Sequence, residues 1–403
     1  MVFSNHGSDV FPQGVSDWTM PAFGEPARLL STPRRVALIG TYPPTECGIA
    51  TFTANVRTAL LEANPGWEVR VVRVVDDEPF EWPEDVARHW VRNDPTSLDD
   101  VVDYLNTCDV IVIEHEYGIY GGPDGDEILD LVAGLRVPSI ATLHTILRNP
   151  SAHQRFVLQS LLDATDLAIV PSRSALERLN AGYSARNAVV VPHGAASNFS
   201  ALPTNDERPI ALTWGLLGPG KGLEHAIEAV AIVRESLPTM RYVIAGRTHP
   251  NLCSNGQDPY RASLVELVAR LGVADIVEFA DGYRGWEALH ALVRSATVVV
   301  LPYQSRDQIS SGVLVEALAA GRPVVATRFP HAVELLAGGA GIVTEFDDVP
   351  ALARALQAVI SRPDLARTMA QRSRRVGQSL VWPRIGLRLG GLIDEISGRT
   401  LTR

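Results

Sequence analysis

The chain has 403 residues, a fifth of them charged, and a formal net charge of −10. This length suffices for two domains, each able to bury a core of its own. The acidic balance offers no basic field to a nucleic-acid backbone or an anionic membrane surface, so we expect small-molecule partners and no nucleic acid.

The cysteines and the apolar runs of the sequence indicate the cellular compartment of the protein. Cys47, Cys108 and Cys253 lie far apart and lack metal-ligand spacing, so neither a disulfide framework nor a zinc site is predicted. No apolar run reaches the roughly 18–20 residues that span a bilayer, and the first thirty residues lack the cationic start and apolar stretch of a signal peptide. We therefore expect a cytoplasmic protein without stable membrane insertion.

Two series of alternating strand and helix patterns follow a polar, aperiodic leader at 1–33. Short apolar runs typical of buried parallel strands alternate with segments of helical period. The first series of runs begins at residues 36, 69, 110, 139, 167 and 188, and the second at residues 210, 242, 276, 297, 323 and 340. In the second half, helices are predicted at about 223–236, 259–271, 286–295 and 312–320. The pattern predicts two doubly wound, Rossmann-like α/β domains facing across a cleft.

The stretch 194–209 lacks periodicity and is rich in Pro, Ser, Asn and Gly. It separates the two series, so we predict an N-terminal domain at 34–195, a linker at 196–209 and a C-terminal domain at 210–380. Ligands in such sheets bind at the carboxyl ends of the strands. The residues directly after each apolar run are therefore the candidates for chemistry.

The segment 214–230 joins a strand to a helix through four glycines and Lys221, the lone lysine beside 35 arginines. Glycine backbone N–H groups, a helix N-terminus and a compact cation together suit a diphosphate, although a glycine-rich turn with a solvated lysine has the same pattern. The placement of the lone lysine in this loop favours phosphate. The spacing fits neither the dinucleotide fingerprint nor a Walker A loop, which disfavours a dehydrogenase, a kinase and an ATPase.

A second polar group begins the helix predicted near 312–320. Ser310, Ser311 and Gly312 cap it, so its N-terminal amides can meet an anion. Glu316 lies about one turn further on, where it can accept hydrogen bonds from vicinal hydroxyls. A solvated helix face or an ion pair remains the alternative for this carboxylate.

Residues 35–396, with GLLGPGKG at 215–222 and the segment VVLPYQSRDQISSGVLVEALAAGRPVVAT, resemble retaining glycosyltransferases of the GT-B fold, glycosyltransferase family 4 (group 1). The resemblance implies that Lys221 binds the donor diphosphate and Glu316 the nucleotide ribose. Gln308 replaces the family's sugar-contacting glutamate, and Leu216 replaces its arginine, for which Arg247 or Arg306 are possible substitutes. The donor-binding residues implied in this way are Gly48, Gly215, Gly220, Lys221, Arg247, Ser311, Gly312, Val313, Leu314 and Glu316.

In the N-terminal half, TYPPTECGIATFTANV resembles the family's first glycine-rich loop and IATLHT the strand that ends in its histidine. These matches place Gly48 near the donor phosphate and His144 against the transferred sugar. Glu114, His115, Glu116 and Tyr117 form a polar cluster at another strand end, of the type that binds sugar hydroxyls, and are assigned to the acceptor. The final segment, 381–403, resembles the closing helix that packs back on the first domain.

The sequence thus predicts a hexosyltransferase that moves a sugar from a nucleotide-diphosphate sugar to a hydroxyl of a small soluble or saccharide acceptor. His144, Gln308 and Lys221 are the predicted catalytic residues, with no metal and no cofactor beyond the sugar nucleotide, and a homodimer is left open. A GT-B sugar phosphorylase or nucleotide-sugar epimerase is the nearest alternative. A non-catalytic nucleotide-sugar-binding protein is the alternative of another class.

Overall fold

The computed structural model describes residues 32–80, 82–203, 208–248, 252–253, 257–280 and 286–398. Each half of the chain forms a parallel β-sheet with apolar clusters on both faces, which confirms the predicted pair of doubly wound α/β domains. The leader predicted at 1–33 falls almost wholly outside the described residues.

The N-terminal sheet has the strand order β3-β2-β1-β4-β5-β6-β7. Successive side chains of β1 lie on opposite faces of the sheet. Val36 and Leu38 pack toward α1, while Ala37 and Ile39 pack toward the helices on the other face. The elements of this half are β1 (Arg35–Gly40), α1 (Gly48–Ala63), β2 (Glu68–Val75), β3 (Val86–Val91), α2 (Pro95–Leu105), β4 (Val110–His115), α3 (Glu127–Gly134), β5 (Ser139–Leu143), α4 (Ala152–Ala164), β6 (Leu167–Val170), α5 (Arg173–Gly182) and β7 (Ala188–Val190).

Strand β3 is the element of this sheet that the sequence pattern missed. It lies at the edge and pairs with β2 alone among the described strands, so half of its positions stay partly exposed. Its sequence VARHWV therefore mixes polar and apolar residues instead of forming a continuous apolar run. The continuous apolar pattern that marks buried parallel strands is therefore absent from this edge strand.

The C-terminal sheet has the order β10-β9-β8-β11-β12-β13. The helices predicted at 259–271 and 286–295 are observed with those bounds, whereas the first helix ends at Val233 rather than 236. The elements are β8 (Ile210–Trp214), α6 (Leu223–Val233), β9 (Arg241–Ala245), α7 (Pro259–Leu271), β10 (Val277–Ala280), α8 (Trp286–Ser295), β11 (Val298–Leu301), α9 (Gly312–Ala319), β12 (Val324–Thr327), α10 (Pro330–Leu336), β13 (Gly341–Thr344), α11 (Val349–Ser361), α12 (Pro363–Gly377) and α13 (Trp382–Ser397).

The chain passes between the domains twice, and the two passages touch. The Ala195 N–H donates to the Leu380 carbonyl oxygen at 2.8 Å, and the Trp382 N–H donates to the Ala195 carbonyl oxygen at 3.0 Å. Helix α13 then lies in the N-terminal domain, where Ile385 and Ile393 are buried with side chains of α1 and the sheet. The last helix of the described chain thus completes the core of the first domain.

Replacing Gly386 by alanine is expected to destabilise the protein by about 1–3 kcal/mol, because α13 crosses α1 too closely for a side chain there. A Cβ at this position would lie 2.2 Å from the Ala59 carbonyl oxygen. Gly391 is the matched control in the same helix, since its Cβ would meet nothing within 4 Å. Urea unfolding should show Gly391→Ala unchanged or up to about 1 kcal/mol more stable; equal losses in both variants would contradict the close crossing.

Candidate active site

The carboxyl ends of the two sheets face a common cleft, around which the domains touch. Ser172 Oγ donates to the Ile309 carbonyl oxygen at 2.9 Å. The Glu334 carboxylate, in α10, accepts the backbone N–H groups of Arg173 at 3.0 Å and Ser174 at 3.1 Å. Glu334 therefore caps the N-terminus of α5 from the other domain. The loops after β4, β5, β8 and β11 follow the carboxyl ends of their strands and lie at the cleft edge.

The loop between β8 and α6 has backbone geometry that requires glycine. Gly215 and Gly222 have φ angles of 118° and 67°, and a Cβ on Gly222 would lie 1.9 Å from the Pro302 carbonyl oxygen. A hydrogen bond of 2.8 Å from the Gln304 N–H to the Gly220 carbonyl oxygen fastens this loop to the segment after β11. The two loops thus form one continuous wall of the cleft.

Lys221 lies in this wall with a half-buried side chain. Its Nζ is 4.4 Å from the centroid of the Tyr303 ring and forms no ion pair with a described carboxylate. Helix α6 begins directly after Gly222, where no side chain caps it. A cation beside an uncapped helix N-terminus is an arrangement that suits a phosphate group.

A second helix N-terminus, that of α9, lies on the same side of the cleft. The Ser311 hydroxyl accepts the Leu314 N–H at 3.3 Å, and the Ser311 N–H donates to Nδ1 of His331 at 2.9 Å. Burial lowers the pKa of His331 to about 3, so its ring is neutral and accepts this bond. Gly312 lies against His193 of the other domain, whose ring would be 3.1 Å from a Cβ there.

Glu316 follows one turn later and contacts the linker. Its Oε1 accepts the Ala196 N–H at 3.2 Å. Burial raises the pKa of Glu316 to about 7, and the single backbone hydrogen bond only partly offsets the lost hydration. The ionised form of this carboxyl group is therefore unfavourable unless further hydrogen-bond donors approach it.

The Glu316 pKa predicts a pH-dependent stability. In the unfolded chain this carboxyl ionises near pH 4.3, so between about pH 4.5 and 7 the folded state binds more protons and stability falls as pH rises. Glu316→Gln should equal the wild type near pH 4.5 and exceed it by up to about 3 kcal/mol at pH 8. Urea unfolding across this range measures the difference, with Glu345→Gln as a surface control; a difference that does not change with pH would refute it.

His144, directly after β5, pairs with Glu114 at the end of β4. The His144 Nε2 and Glu114 Oε2 atoms are 2.8 Å apart, with the Glu114 side chain fully buried and that of His144 15% exposed. Strands β4 and β5 are neighbours in the sheet, so Glu114 and the residue that follows β5 approach each other across thirty positions of sequence. Glu114 is thus directed at His144 rather than at the open cleft.

The other members of the predicted acceptor cluster differ in burial and in hydrogen-bond partners. His115 is fully buried, and burial lowers its pKa to about 3. The Tyr117 hydroxyl donates to the Gln154 carbonyl oxygen at 3.3 Å, and burial raises the pKa of that phenol. Glu116, half-buried, accepts hydrogen bonds from the Tyr117 N–H and the Thr145 hydroxyl. Of the four residues, Glu114 and His115 are therefore fully buried, whereas Glu116 and Tyr117 are half-buried.

Gln308 is turned onto its own loop. Its side-chain amide donates to the Ser310 carbonyl oxygen, and its backbone carbonyl accepts the His331 N–H at 3.3 Å. A glutamate here would bring a second acceptor close to the Ser310 carbonyl, so the amide fits the observed conformation.

Arg247 and Arg306 are the two candidate substitutes for the family's arginine, which is replaced here by Leu216. One of them bridges the domains. Arg247 forms an ion pair with Glu46, from the loop before α1, whereas Arg306 lies over the Phe346 ring at 4.6 Å from its centroid. Only Arg247 therefore contacts the N-terminal glycine-rich loop.

The remaining predicted donor residues lie at the starts of two helices. Gly48 is the first residue of α1, after Cys47, whose Sγ accepts the Ala50 N–H at 3.3 Å. A Cβ on Gly48 would meet nothing within 4 Å, so this helix start is open. Val313, in the first turn of α9, lies 3.6 Å from where a Cβ of Gly215 would be.

Three site residues were missed from the sequence: Phe52, His193 and Trp382. The Phe52 ring lies 4.9 Å from that of His144, 5.0 Å from that of His193 and 5.5 Å from that of Trp382. Phe52 and His193 line a narrow cavity with Glu114 and, from the C-terminal domain, Ser310, while the Trp382 ring packs against both aromatic rings. Their clustering joins segments some three hundred residues apart, and no local pattern signals it.

Within the described ranges, no three His, Cys, Asp or Glu side chains are grouped as metal ligands. No helix of that part of the chain has the length and hydropathy to cross a membrane.

The fold and the facing loops define the class. Two Rossmann-like domains with a cleft between their strand ends constitute the GT-B architecture, and residues 196–376 match the family model described as glycosyl transferases group 1. This match supports the group 1 part of the resemblance seen in the sequence.

Particular relatives agree with that class. The chain is 31% identical to a D-inositol 3-phosphate glycosyltransferase of Streptomyces coelicolor over 55% of this chain and 48% of that protein. It is 30% identical to a GDP-mannose-dependent alpha-(1-6)-phosphatidylinositol monomannoside mannosyltransferase of Mycolicibacterium smegmatis over 57% of this chain and 58% of that one. The chain thus spans about half the length of the curated relatives it matches.

Solved structures share the fold. A sucrose-phosphate synthase from Thermosynechococcus elongatus superposes with a TM-score of 0.72 at 21% identity, covering 90% of this chain and 98% of the other. Anabaena HepE in complex with UDP gives a TM-score of 0.72 at 18% identity, covering 90% and 100%. At these identities the likeness concerns architecture.

Proposed function

We propose that the protein is a retaining glycosyltransferase of family 4 that transfers a hexose from a nucleotide-diphosphate sugar to a hydroxyl of a small soluble or saccharide acceptor. One observation carries the proposal: Lys221 and the N-terminus of α9 lie on the C-terminal side of a cleft whose other side presents His144. The names of the relatives, which include an inositol phosphate glycosyltransferase and a GDP-mannose-dependent enzyme, support it.

In this proposal the C-terminal domain binds the donor. Lys221 and the N-terminal amides of α6 and α9 hold the diphosphate, and stabilise the charge that develops as it leaves. Glu316 accepts the ribose hydroxyls. Those donors would supply the hydrogen bonds that its buried carboxylate lacks, and so favour its charged form.

The N-terminal domain positions the sugar and the acceptor. His144 binds a hydroxyl of the transferred hexose, with Gln308 opposite it, and the acceptor enters over Glu116 and the loop after β4. The acceptor hydroxyl attacks from the leaving-group face, and its proton passes to the departing phosphate. No protein nucleophile and no metal take part. The contacts of Glu334 and Arg247 between the domains close the cleft and exclude water.

The test is a calorimetric binding panel of GDP-mannose, UDP-glucose, UDP-N-acetylglucosamine and ADP-glucose, followed by NMR assignment of the anomeric product. We expect one donor to bind and its product to keep the anomeric configuration. An inverted product would overturn retention. Binding of sugar 1-phosphates without any nucleotide would favour the phosphorylase, and donor binding without turnover would favour the non-catalytic binding protein.

A further inference from the structure

Glu114 presents an energetic problem that its predicted role does not answer. Its side chain is fully buried, Oε2 contacts His144 Nε2 at 2.8 Å, and Oε1 forms no hydrogen bond with a described residue. A buried carboxylate is costly unless it is paired. The Glu114 carboxyl group contacts His144 and has no second hydrogen-bond partner among the described side chains. We therefore expect Glu114 to act through His144.

The surroundings fix both side chains. Gly40, on the neighbouring strand β1, leaves the space that Glu114 fills, since a Cβ there would lie 3.0 Å from the Glu114 Cβ. The His144 ring meets the Phe52 ring edge-on, with an interplanar angle of 88°. The carboxylate on one side and the aromatic ring on another hold the imidazole in one orientation.

The hydrogen bond also selects a tautomer. An ionised carboxylate can only accept, so the proton of the pair lies on His144 Nε2. In the neutral ring, Nδ1 then carries the lone pair, and it forms no hydrogen bond with a described residue. The His144 side chain is 15% exposed and lines the cavity between the domains, so the ring is within reach of a ligand there.

We propose that Glu114 is a positioning residue: by accepting the His144 Nε2–H it fixes the ring so that Nδ1 receives a hydrogen bond from a hydroxyl of the transferred sugar. The assignment of this hydroxyl to the transferred sugar rests on the proposed function. The positioning role replaces the direct acceptor contact predicted for Glu114 from the sequence.

The first test reads the tautomer without any activity. Imidazole ¹⁵N NMR, with the His144 signals assigned through His144→Ala, should show the wild-type ring protonated at Nε2. In Glu114→Gln the amide can accept or donate, so the ring nitrogen signals of His144 should shift toward a mixture of tautomers. Protonation at Nδ1 in the wild type, or unchanged His144 signals in Glu114→Gln, would overturn the proposal.

The chain offers a matched control in Glu78→Gln. Glu78 pairs with the buried ring of His89, whose Nδ1 is 3.3 Å from Glu78 Oε1, in the same domain. This variant should alter the His89 signals and leave those of His144 and the transfer rate unchanged. Should Glu114→Gln fail to fold, the wild-type spectrum by itself decides the tautomer.

The second test separates positioning from direct contact. Glu114→Gln should lower kcat by about 10- to 100-fold with little change in the KM for the donor, the range expected when a charge-assisted hydrogen bond is lost. In the His144→Ala background the same change should have no further effect. An equal loss in both backgrounds would show that Glu114 acts directly. Absence of any transfer would count against the proposed function, while the NMR result would still decide the pairing.

Discussion

Lys221→Ala is expected to lower kcat/KM for the donor by about 10²- to 10³-fold, the usual effect of removing one preorganised group that stabilises developing charge. Stability should change little, because the side chain is half-buried and contacts chiefly the face of the Tyr303 ring. A loss of activity without a loss of stability would therefore support the proposed role of Lys221 in binding the diphosphate.

The diphosphate assignment is tested by comparing ligands. Calorimetry should show that Lys221→Ala weakens binding of the nucleoside diphosphate but not of the nucleoside, which lacks the phosphates. Lys221→Arg should recover part of the affinity, since the charge returns with a different shape. Arg367→Ala, which removes an exposed cation that pairs with Asp364 on α12, is the control. Equal weakening for nucleoside and diphosphate would refute a phosphate role.

Arg322→Ala is expected to lower the free energy of unfolding by about 3 kcal/mol or more, because several hydrogen bonds from a buried charged group are lost. The Arg322 side chain is fully buried between α9 and β12, and burial lowers its pKa to about 10, so it remains charged at neutral pH. Its guanidinium donates to the backbone carbonyl oxygens of Ala320, Arg294, Ala296, Ser200 and Ala201. Alanine would remove these five hydrogen bonds, two of them fully buried, and leave the Ala296 carbonyl without the guanidinium donor that now pairs with it.

Arg322 also fastens the linker, because the 200–201 carbonyls belong to the segment that follows the N-terminal domain. Arg328→Ala is the matched control at the other end of β12, where the side chain is exposed and pairs with Glu345; it should lose less than about 1 kcal/mol. Urea unfolding of both variants measures the contrast. Similar losses would mean that the carbonyls find other donors.

Much of the architecture follows from local pattern. Buried parallel strands are apolar on both faces, so runs such as those at Val36 and Val110 mark the sheet without knowledge of its order. The glycine-rich loop with Lys221 was also predictable, because a strand, several glycines and a lone lysine are consecutive in sequence. The edge strand β3 was not, since its exposure depends on its place at the end of the sheet.

The partners of the site residues were decided by the tertiary structure. Glu114 meets His144 because β4 and β5 are adjacent, and Phe52 meets Trp382 because the last helix returns to the first domain. The contact of Glu316 with Ala196 depends in the same way on the path of the linker. The sequence by itself determined the buried strands, the four helices predicted in the C-terminal half and the glycine-rich loop that holds Lys221, since periodicity and composition are local. Strand order and chain crossing decided which side chains meet, because they join residues that no local pattern relates.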